Sequence, residues 1–321
     1  MRSRNVRRLC AALVSLLSVA VLLSGNGVAV ADDGPPLHTP VDVLDAAVKC
    51  DPSATDRKTV VLVPGTFSEA TEVWSWNYRR ALPAAGFAVC TVRLPGRSVT
   101  SIYHAADYMV YAIRKARDLS RQKVSVIGHS QGGSHPLWAM KFWPDVRAAV
   151  DDYIGLAPGV NGTQLGNILC AVGACADITW QVGFGSTYLD RLHQGGLPPG
   201  VSYTNVWTQL DEIVFPQPAA SNIPGGSNVS VQSICPGRIV EHMAIIADSV
   251  AYALAMDALT HPGPADPRRI GNRLALCATP FLPRIDLTGL VGFLGGGAAG
   301  AVDWLTRPLT TSEPPLPDYA R

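Results

Sequence analysis

The chain has 321 residues, of which 47% are apolar and 16% are charged, and its formal net charge is +1. This composition excludes an intrinsically disordered chain and lacks the basic excess that is typical of nucleic-acid-binding proteins. A chain of this length can bury roughly three quarters of its unfolded surface, which is enough for a large hydrophobic core.

The first residues have the pattern of a secretory signal peptide. Four arginines lie within the first eight residues, an apolar run follows at 9–23, and small residues at 29–31 offer a cleavage site. The run is shorter than the about 20 residues that a bilayer-spanning helix needs, so we expect no integral membrane span. We expect residues 1–31 to be removed on export. Residues 32–321 would then form a single secreted domain, with 278–321 as a C-terminal extension packed on it.

Short apolar runs alternate with segments of helical periodicity along the rest of the chain. The predicted strands are 59–63, 87–94, 123–127, 153–156, 201–208 and 229–234, and the predicted helices are 101–120, 134–150 and 243–259. This alternation predicts an α/β fold, in which a mostly parallel sheet is covered by helices on both faces. A later apolar run, 287–302, is interrupted by glycines and is not predicted to span a membrane.

The pattern G-x-S-x-G occurs once, as Gly128-His129-Ser130-Gln131-Gly132. It follows a predicted strand and precedes a predicted helix, which is the context of a nucleophile elbow. The serine of such an elbow sits on a strained turn, and the flanking glycines permit the close passage of neighbouring chain. A purely structural turn is the alternative, but the context favours Ser130 as a nucleophile.

A serine hydroxyl needs a neutral imidazole to take its proton and a carboxylate to orient that imidazole. The usual chain order of serine, acid and histidine leaves His242 and His261 as bases, of which His261 lies in a Thr-His-Pro-Gly loop. We therefore favour His242. For the acid, Asp211 follows a predicted strand, but Glu212 and Asp190 remain open from the residues alone.

Stabilising the oxyanion of an ester intermediate requires at least two hydrogen-bond donors. One is the main-chain N–H of Gln131, directly after the serine. Thr66 follows the first predicted strand and could offer both its N–H and its hydroxyl, although an ordinary Pro-Gly turn would have the same sequence.

Several strings resemble the Candida antarctica lipase B family of α/β-hydrolases, in the same order from about residue 50 to the end. They are LVPGT at 62–66, SQGG at 130–133, LAP at 156–158, NGT at 161–163, DEIV at 211–214 with PQ at 216–217, His242, and YAR at 319–321. The resemblance covers nearly the whole chain beyond the predicted signal peptide.

The resemblance implies an α/β-hydrolase fold with a catalytic triad of Ser130, Asp211 and His242. It implies Thr66 and Gln131 as the oxyanion hole. The expected function is that of a secreted lipase or esterase, which takes a lipid or ester substrate, contacts a lipid interface transiently and uses no cofactor.

Six cysteines lie beyond the signal peptide, and an even number in an exported chain suggests three disulfides. Spacing leaves the pairing open, except that Cys170 and Cys175 are close enough for a local loop. The resemblance implies the pairs Cys50–Cys90 and Cys235–Cys277. It also makes 165–177 a predicted lid, which the third disulfide would stiffen. Without a C-x-x-C pair or a histidine cluster, we expect no metal site.

Three positions depart from the family pattern. His129 stands where the family lipase has a tryptophan, Gly159 stands at the place of an aspartate near the substrate entrance, and Ser312 replaces a disulfide cysteine. The stereopreference of the family is therefore not carried over.

Two alternative functions remain. The first is another acyl chemistry on the same site, either polyester or cutin hydrolysis or acyl transfer to an acceptor other than water. The second is a non-enzymatic secreted binding protein on a hydrolase scaffold. The presence of all five candidate residues argues against this second alternative.

Overall fold

Strands and helices alternate along the chain, as the sequence pattern predicts. The computed structural model describes residues 33–321, and these residues belong to one compact unit. The predicted signal peptide lies outside the described residues, so it stays a prediction.

The strands of the described chain form one seven-stranded sheet. They are β1 Val48–Cys50, β2 Thr59–Val63, β3 Ala88–Val92, β4 Val124–His129, β5 Val150–Leu156, β6 Ser202–Trp207 and β7 Ser227–Ser230. Their spatial order is β1-β3-β2-β4-β5-β6-β7, and β1 is antiparallel to β3 while all other neighbours are parallel. The predicted mostly parallel α/β architecture is confirmed.

The α-helices of residues 33–321 occupy the connections between strands and the C-terminal part. They are α1 Val41–Ala47, α2 Ala70–Trp74, α3 Tyr78–Ala84, α4 Ile102–Ser120, α5 Ser134–Phe142, α6 Pro144–Ala149, α7 Gln164–Cys170, α8 Asp177–Gln181, α9 Thr187–His193, α10 Val231–Ile234, α11 Ser249–Thr260, α12 Arg273–Ala278 and α13 Gly289–Leu305. Parallel strands require crossover connections, which place helices on both faces of the sheet.

The central strand β2 shows how the two faces are filled. Val61 and Val63 join a hydrophobic cluster with α4 and α5, whereas Val60 and Leu62 join a second cluster with α3 and α11. Successive side chains of a strand point to opposite faces, so a strand buried on both faces needs an unbroken apolar run. Burial of the whole of β2 therefore accounts for this apolar segment.

Two predicted elements differ from the structure near prolines and caps. The predicted helix 134–150 is two helices, because α6 begins at Pro144, which has no N–H to continue α5 but suits the first helical position. The predicted strand 229–234 is wrong in its second half. There the Ser230 hydroxyl accepts a hydrogen bond from the N–H of Ser233 and begins α10.

The predicted helix 243–259 begins later than expected. A 3-10 turn covers Ala244–Ala247, and α11 follows at Ser249. The carboxylate of Asp248 accepts hydrogen bonds from the N–H groups of Val250 and Ala251, which defines the start of the helix.

The sequence pattern does not predict helix α13, because glycine lowers helix stability by roughly 1 kcal/mol per residue relative to alanine. The structure gives the glycines a packing role. A Cβ on Gly296 would overlap the carboxylate of Glu72, and a Cβ on Gly300 would overlap the main chain of Phe67. Across the described residues, no helix combines the length and apolar character needed to cross a bilayer.

The six cysteines of the described chain form three disulfides, which are Cys50–Cys90, Cys170–Cys175 and Cys235–Cys277. The first joins β1 to β3 at a pair of directly opposed residues. The second closes the turn after α7, and the third joins the end of α10 to α12. These pairs are the ones that spacing and the family resemblance imply.

Candidate active site

Two neighbouring parallel strands bring the first candidate residues together. Val63, the last residue of β2, pairs with Gly128 in β4, so both strands end at the same edge of the sheet. The chain then continues to Thr66 after β2 and to Ser130 after β4. The approach is close enough that a Cβ on Gly65 would lie 2.9 Å from the Cβ of Ser130.

Ser130 occupies the sharp turn that the G-x-S-x-G pattern predicts. Its φ is 55°, in the left-handed region that side chains other than glycine adopt at a cost. A Cβ on Gly128 would overlap Gly132, and a Cβ on Gly132 would lie 2.5 Å from the main-chain oxygen of Pro64. Both glycines of the motif are therefore required by close packing.

A hydrogen-bonded chain joins the predicted nucleophile, base and acid. The Nε2 atom of His242 lies 2.9 Å from Oγ of Ser130, and its Nδ1 atom lies 3.0 Å from Oδ2 of Asp211. A carboxylate only accepts hydrogen bonds, so Nδ1 carries the proton and Nε2 is free to accept the serine proton. Oδ1 of Asp211 accepts hydrogen bonds from the N–H groups of Ile213 and Val214, at 3.1 and 2.7 Å.

The other candidate acids and the other candidate base lie elsewhere. The carboxylate of Glu212 accepts a hydrogen bond from the main-chain N–H of His242 at 3.2 Å and does not contact the imidazole. Asp190 lies in α9. His261 caps the end of α11, where its half-exposed ring lies 3.3 Å from Asp257. Of the candidate acids and bases, Asp211 and His242 are the ones that share a hydrogen-bonded chain with Ser130.

The loop that carries His242 is braced on both sides. Its first residue, Cys235, forms the disulfide with Cys277, and the Thr208 hydroxyl donates a hydrogen bond to the main-chain oxygen of Val240 at 2.6 Å. In the chain-entropy model, closing a loop of this length stabilises the fold by about 4 kcal/mol. These contacts restrict where the imidazole can move.

The sequence analysis did not predict the contact that His129 makes with His242. Its Nε2 atom lies 3.0 Å from the main-chain oxygen of His242, and the two ring centroids are 4.9 Å apart. Burial, together with the neighbouring His242, lowers the pKa of His129 to about 3. The ring is therefore neutral at neutral pH, and its Nε2–H donates to the carbonyl. The only signal in the sequence is the position of His129 directly before Ser130.

Thr66 and Gln131, the predicted oxyanion-hole residues, meet beside Ser130. The Thr66 hydroxyl donates a hydrogen bond to Oε1 of Gln131 at 2.5 Å, and all three residues line one cavity. Within residues 33–321, Nε2 of Gln131 is buried without a hydrogen-bond partner. The two side chains therefore hold each other beside Ser130 at the wall of this cavity.

This cavity has a volume of about 380 Å³ and mostly apolar walls. The walls come from α7, α8, the segment after Asp211 and α13, and include Leu169, Ile178, Val214 and Trp304. All described residues that line it, Gly159 among them, are uncharged. Over residues 33–321, no group of three or more His, Cys, Asp or Glu side chains could hold a metal ion.

Comparisons with known proteins show the family of the chain. Lipase B of Pseudozyma antarctica is 31% identical over 306 residues, which cover 89% of this chain and 86% of that protein. The crystal structure of Aspergillus fumigatus lipase B is 30% identical with a TM-score of 0.82, over 91% of this chain and 74% of that chain. The propeptide form of a Bacillus licheniformis lipase is 16% identical with a TM-score of 0.53, over 73% of this chain and 54% of that one, and shows the fold alone. No family model matches the chain. The chain belongs to the lipase B family of α/β-hydrolases and is a carboxylic-ester hydrolase.

Proposed function

We propose that the protein is a secreted serine lipase or esterase that cleaves esters of apolar acids through an acyl-enzyme on Ser130. One observation carries this proposal, the continuous hydrogen-bonded chain from Ser130 through His242 to Asp211 at the edge of an apolar cavity. This arrangement is the one that acyl transfer through a serine requires.

Acylation would begin with attack of the Ser130 oxygen on the ester carbonyl, while Nε2 of His242 takes the hydroxyl proton. Asp211 holds the Nδ1–H and stabilises the imidazolium that forms. The oxyanion would accept hydrogen bonds from the N–H groups of Thr66 and Gln131. His242 then gives its proton to the alcohol oxygen as the bond from that oxygen to the carbonyl carbon breaks.

Deacylation would repeat these steps with water. A water molecule gives a proton to His242 and attacks the acyl carbon, and the second oxyanion is held by the same two N–H groups. The proton returns to the oxygen of Ser130 as the free acid leaves. Each role therefore falls on a residue whose position supports it.

The cavity favours apolar acyl chains. Its uncharged walls offer no partner for a charged substrate group, and each buried methylene contributes about 0.8 kcal/mol. Apolar side chains that line the cavity also reach the surface, where Leu169 is 41% exposed and Leu305 is 72% exposed. Such a rim supports transient contact with a lipid interface.

Export is supported by the signal-peptide pattern and by the three disulfides, which persist in oxidising compartments. The location can be tested by expressing the full chain and determining the N-terminus of the protein found outside the cell. We expect it to begin at Asp32.

The activity is tested with p-nitrophenyl esters from acetyl to palmitoyl, hydrolysed by the wild type, by Ser130→Ala and by Ser120→Ala. Ser120 is a buried serine at the end of α4, so it controls for loss of a buried hydroxyl. We expect Ser130→Ala to lose activity by roughly 10³-fold or more and Ser120→Ala to retain it. Equal activity of Ser130→Ala and wild type would refute the proposed nucleophile, and inertness of the wild type on every ester would favour the binding-protein alternative.

A further inference from the structure

The residue after Thr66 has an unfavourable backbone conformation. Phe67 has a φ of 68°, in the left-handed region where a bulky side chain is an outlier. Such a conformation is energetically unfavourable and persists only where the surrounding structure holds it. A hydrogen-bond donor to the carbonyl of Phe67 would therefore help to hold the backbone of this residue and of the neighbouring Thr66.

Arg97 supplies that partner. Its Nε–H donates a hydrogen bond to the main-chain oxygen of Phe67 at 3.3 Å. Its Nη2 atom binds the carboxylate of Glu72 and donates to the main-chain oxygen of Gly296 at 2.9 Å. The side chain is only 16% exposed, so these bonds are partly shielded from water. One guanidinium thus joins the loop after β2, helix α2 and helix α13.

Helix α13 also packs on this loop. Gly300 packs directly against the main chain of Phe67, where any Cβ would overlap it. Trp304, one turn further on, packs edge-on against the Phe67 ring, with centroids 6.2 Å apart, and its indole N–H donates to the hydroxyl of Thr179 at 2.9 Å. The loop is therefore held by both Arg97 and α13, and the same helix forms a wall of the cavity.

We propose that Arg97 is a positioning residue for the oxyanion hole. It holds the carbonyl of Phe67, and thereby orients the N–H of Thr66 toward the acyl oxygen bound at Ser130. Arg97 does not line the cavity, so it acts through Phe67 and not on the substrate. This inference rests on the proposed function, because it assigns a support to the oxyanion hole of that reaction.

The test compares Arg97→Met, Arg97→Lys and Arg269→Met with the wild type. Arg269 binds the carboxylate of Asp257 and the main-chain oxygen of Pro264, so it is a matched arginine in another part of the fold. For each protein, competent active sites are counted with a p-nitrophenyl phosphonate. The kcat and KM are then measured with p-nitrophenyl butyrate, and the Ki with an alkylboronic acid that forms a tetrahedral adduct on serine.

We expect Arg97→Met to lower kcat per titrated site by about 10- to 100-fold, because a displacement of about 1 Å in a catalytic group has effects of this size. The KM should stay within about threefold, and the boronic acid should bind more weakly by a factor similar to that for kcat. Arg97→Lys, which keeps the charge beside Glu72 but not the fork of donors, should fall between Arg97→Met and the wild type. Arg269→Met should keep the wild-type kcat.

Two results would overturn the inference. One is a kcat per titrated site of Arg97→Met within twofold of the wild type. The other is a loss seen only in KM or in the number of titratable sites, which a purely structural arginine would produce. An inactive wild type or a fully active Ser130→Ala would instead refute the proposed function itself, so the two failures are distinguishable.

Discussion

His135 lies in α5, five residues after the proposed nucleophile, and its ring is buried in the fold. Within the described chain, neither ring nitrogen has a hydrogen-bond partner. Burial lowers the pKa of His135 to about 3, because a charged imidazolium would lose its water without gaining a partner. The folded protein therefore keeps this ring neutral at pH values where an exposed histidine is charged.

The sign and size of the effect on stability follow from proton linkage. The unfolded chain takes up a proton at His135 near pH ~6.5, and the folded chain does so only near the lowered pKa. The free energy of unfolding is therefore unaffected well above pH 6.5 and falls as the pH drops below it. At pH 5, about 1.5 pH units lower, the loss is about 2 kcal/mol. This value does not depend on the folded pKa as long as that pKa stays below about 4.

The perturbation is His135→Leu, measured by urea unfolding at pH 8 and pH 5. At pH 8 the difference between the variant and the wild type reports the packing change alone. From pH 8 to pH 5, we expect the free energy of unfolding of the variant to rise by about 2 kcal/mol relative to that of the wild type. Met140→Leu, a change at a buried residue of α5 that involves no titratable group, should show the same difference from the wild type at both pH values. If His135→Leu also shows equal differences at the two pH values, the reasoning about a buried neutral imidazole is wrong.

Three further changes test the walls and supports of the site. Trp304→Ala should enlarge the cavity and raise the ratio of kcat/KM for palmitoyl esters to kcat/KM for butyryl esters about tenfold. An unchanged ratio would contradict the role of Trp304 as a wall of the cavity. His129→Phe should lower kcat about tenfold. His129→Gln should retain the wild-type kcat, because an amide N–H can donate to the carbonyl of His242. Equal losses of kcat in the two variants would exclude the hydrogen bond as the cause. Replacing Cys170 and Cys175 by serine should lower the free energy of unfolding by about 2 kcal/mol. It should also change the ratio of activity on emulsified esters to activity on soluble esters. Unchanged kinetics on both kinds of ester would refute the hypothesis that this disulfide stiffens a lid.

The sheet and the elbow were predictable because their signals are local. The unbroken apolar run of β2 reports burial on both faces, and the glycines around Ser130 report a tight turn whose packing the structure shows directly. Asp211 is a different case. An aspartate after a strand is commonly a turn or cap residue, and only its contacts with His242 and with two main-chain N–H groups distinguish it from Glu212.

Helix α13 and the contacts of Arg97 could not be predicted, since both depend on tertiary structure. Glycine is a poor helix former, so the sequence 289–305 gives a weak helical signal, yet Gly300 is needed because the helix lies directly on another backbone. Arg97 and Phe67 are distant in sequence and both have positive φ values, which no residue pattern specifies. Such constraints become visible only when the loop, α2 and α13 are placed together.

The central claim, that Ser130 is a nucleophile activated by His242, is tested most directly by covalent labelling. A fluorophosphonate is added to the wild type and to His242→Ala, and the modified residue is located by peptide mass spectrometry. The account predicts one label per wild-type molecule on Ser130, with loss of esterase activity in proportion, and labelling of His242→Ala that is slower by about 10³-fold or more. A label on another serine, or full esterase activity after complete labelling of Ser130, would contradict it.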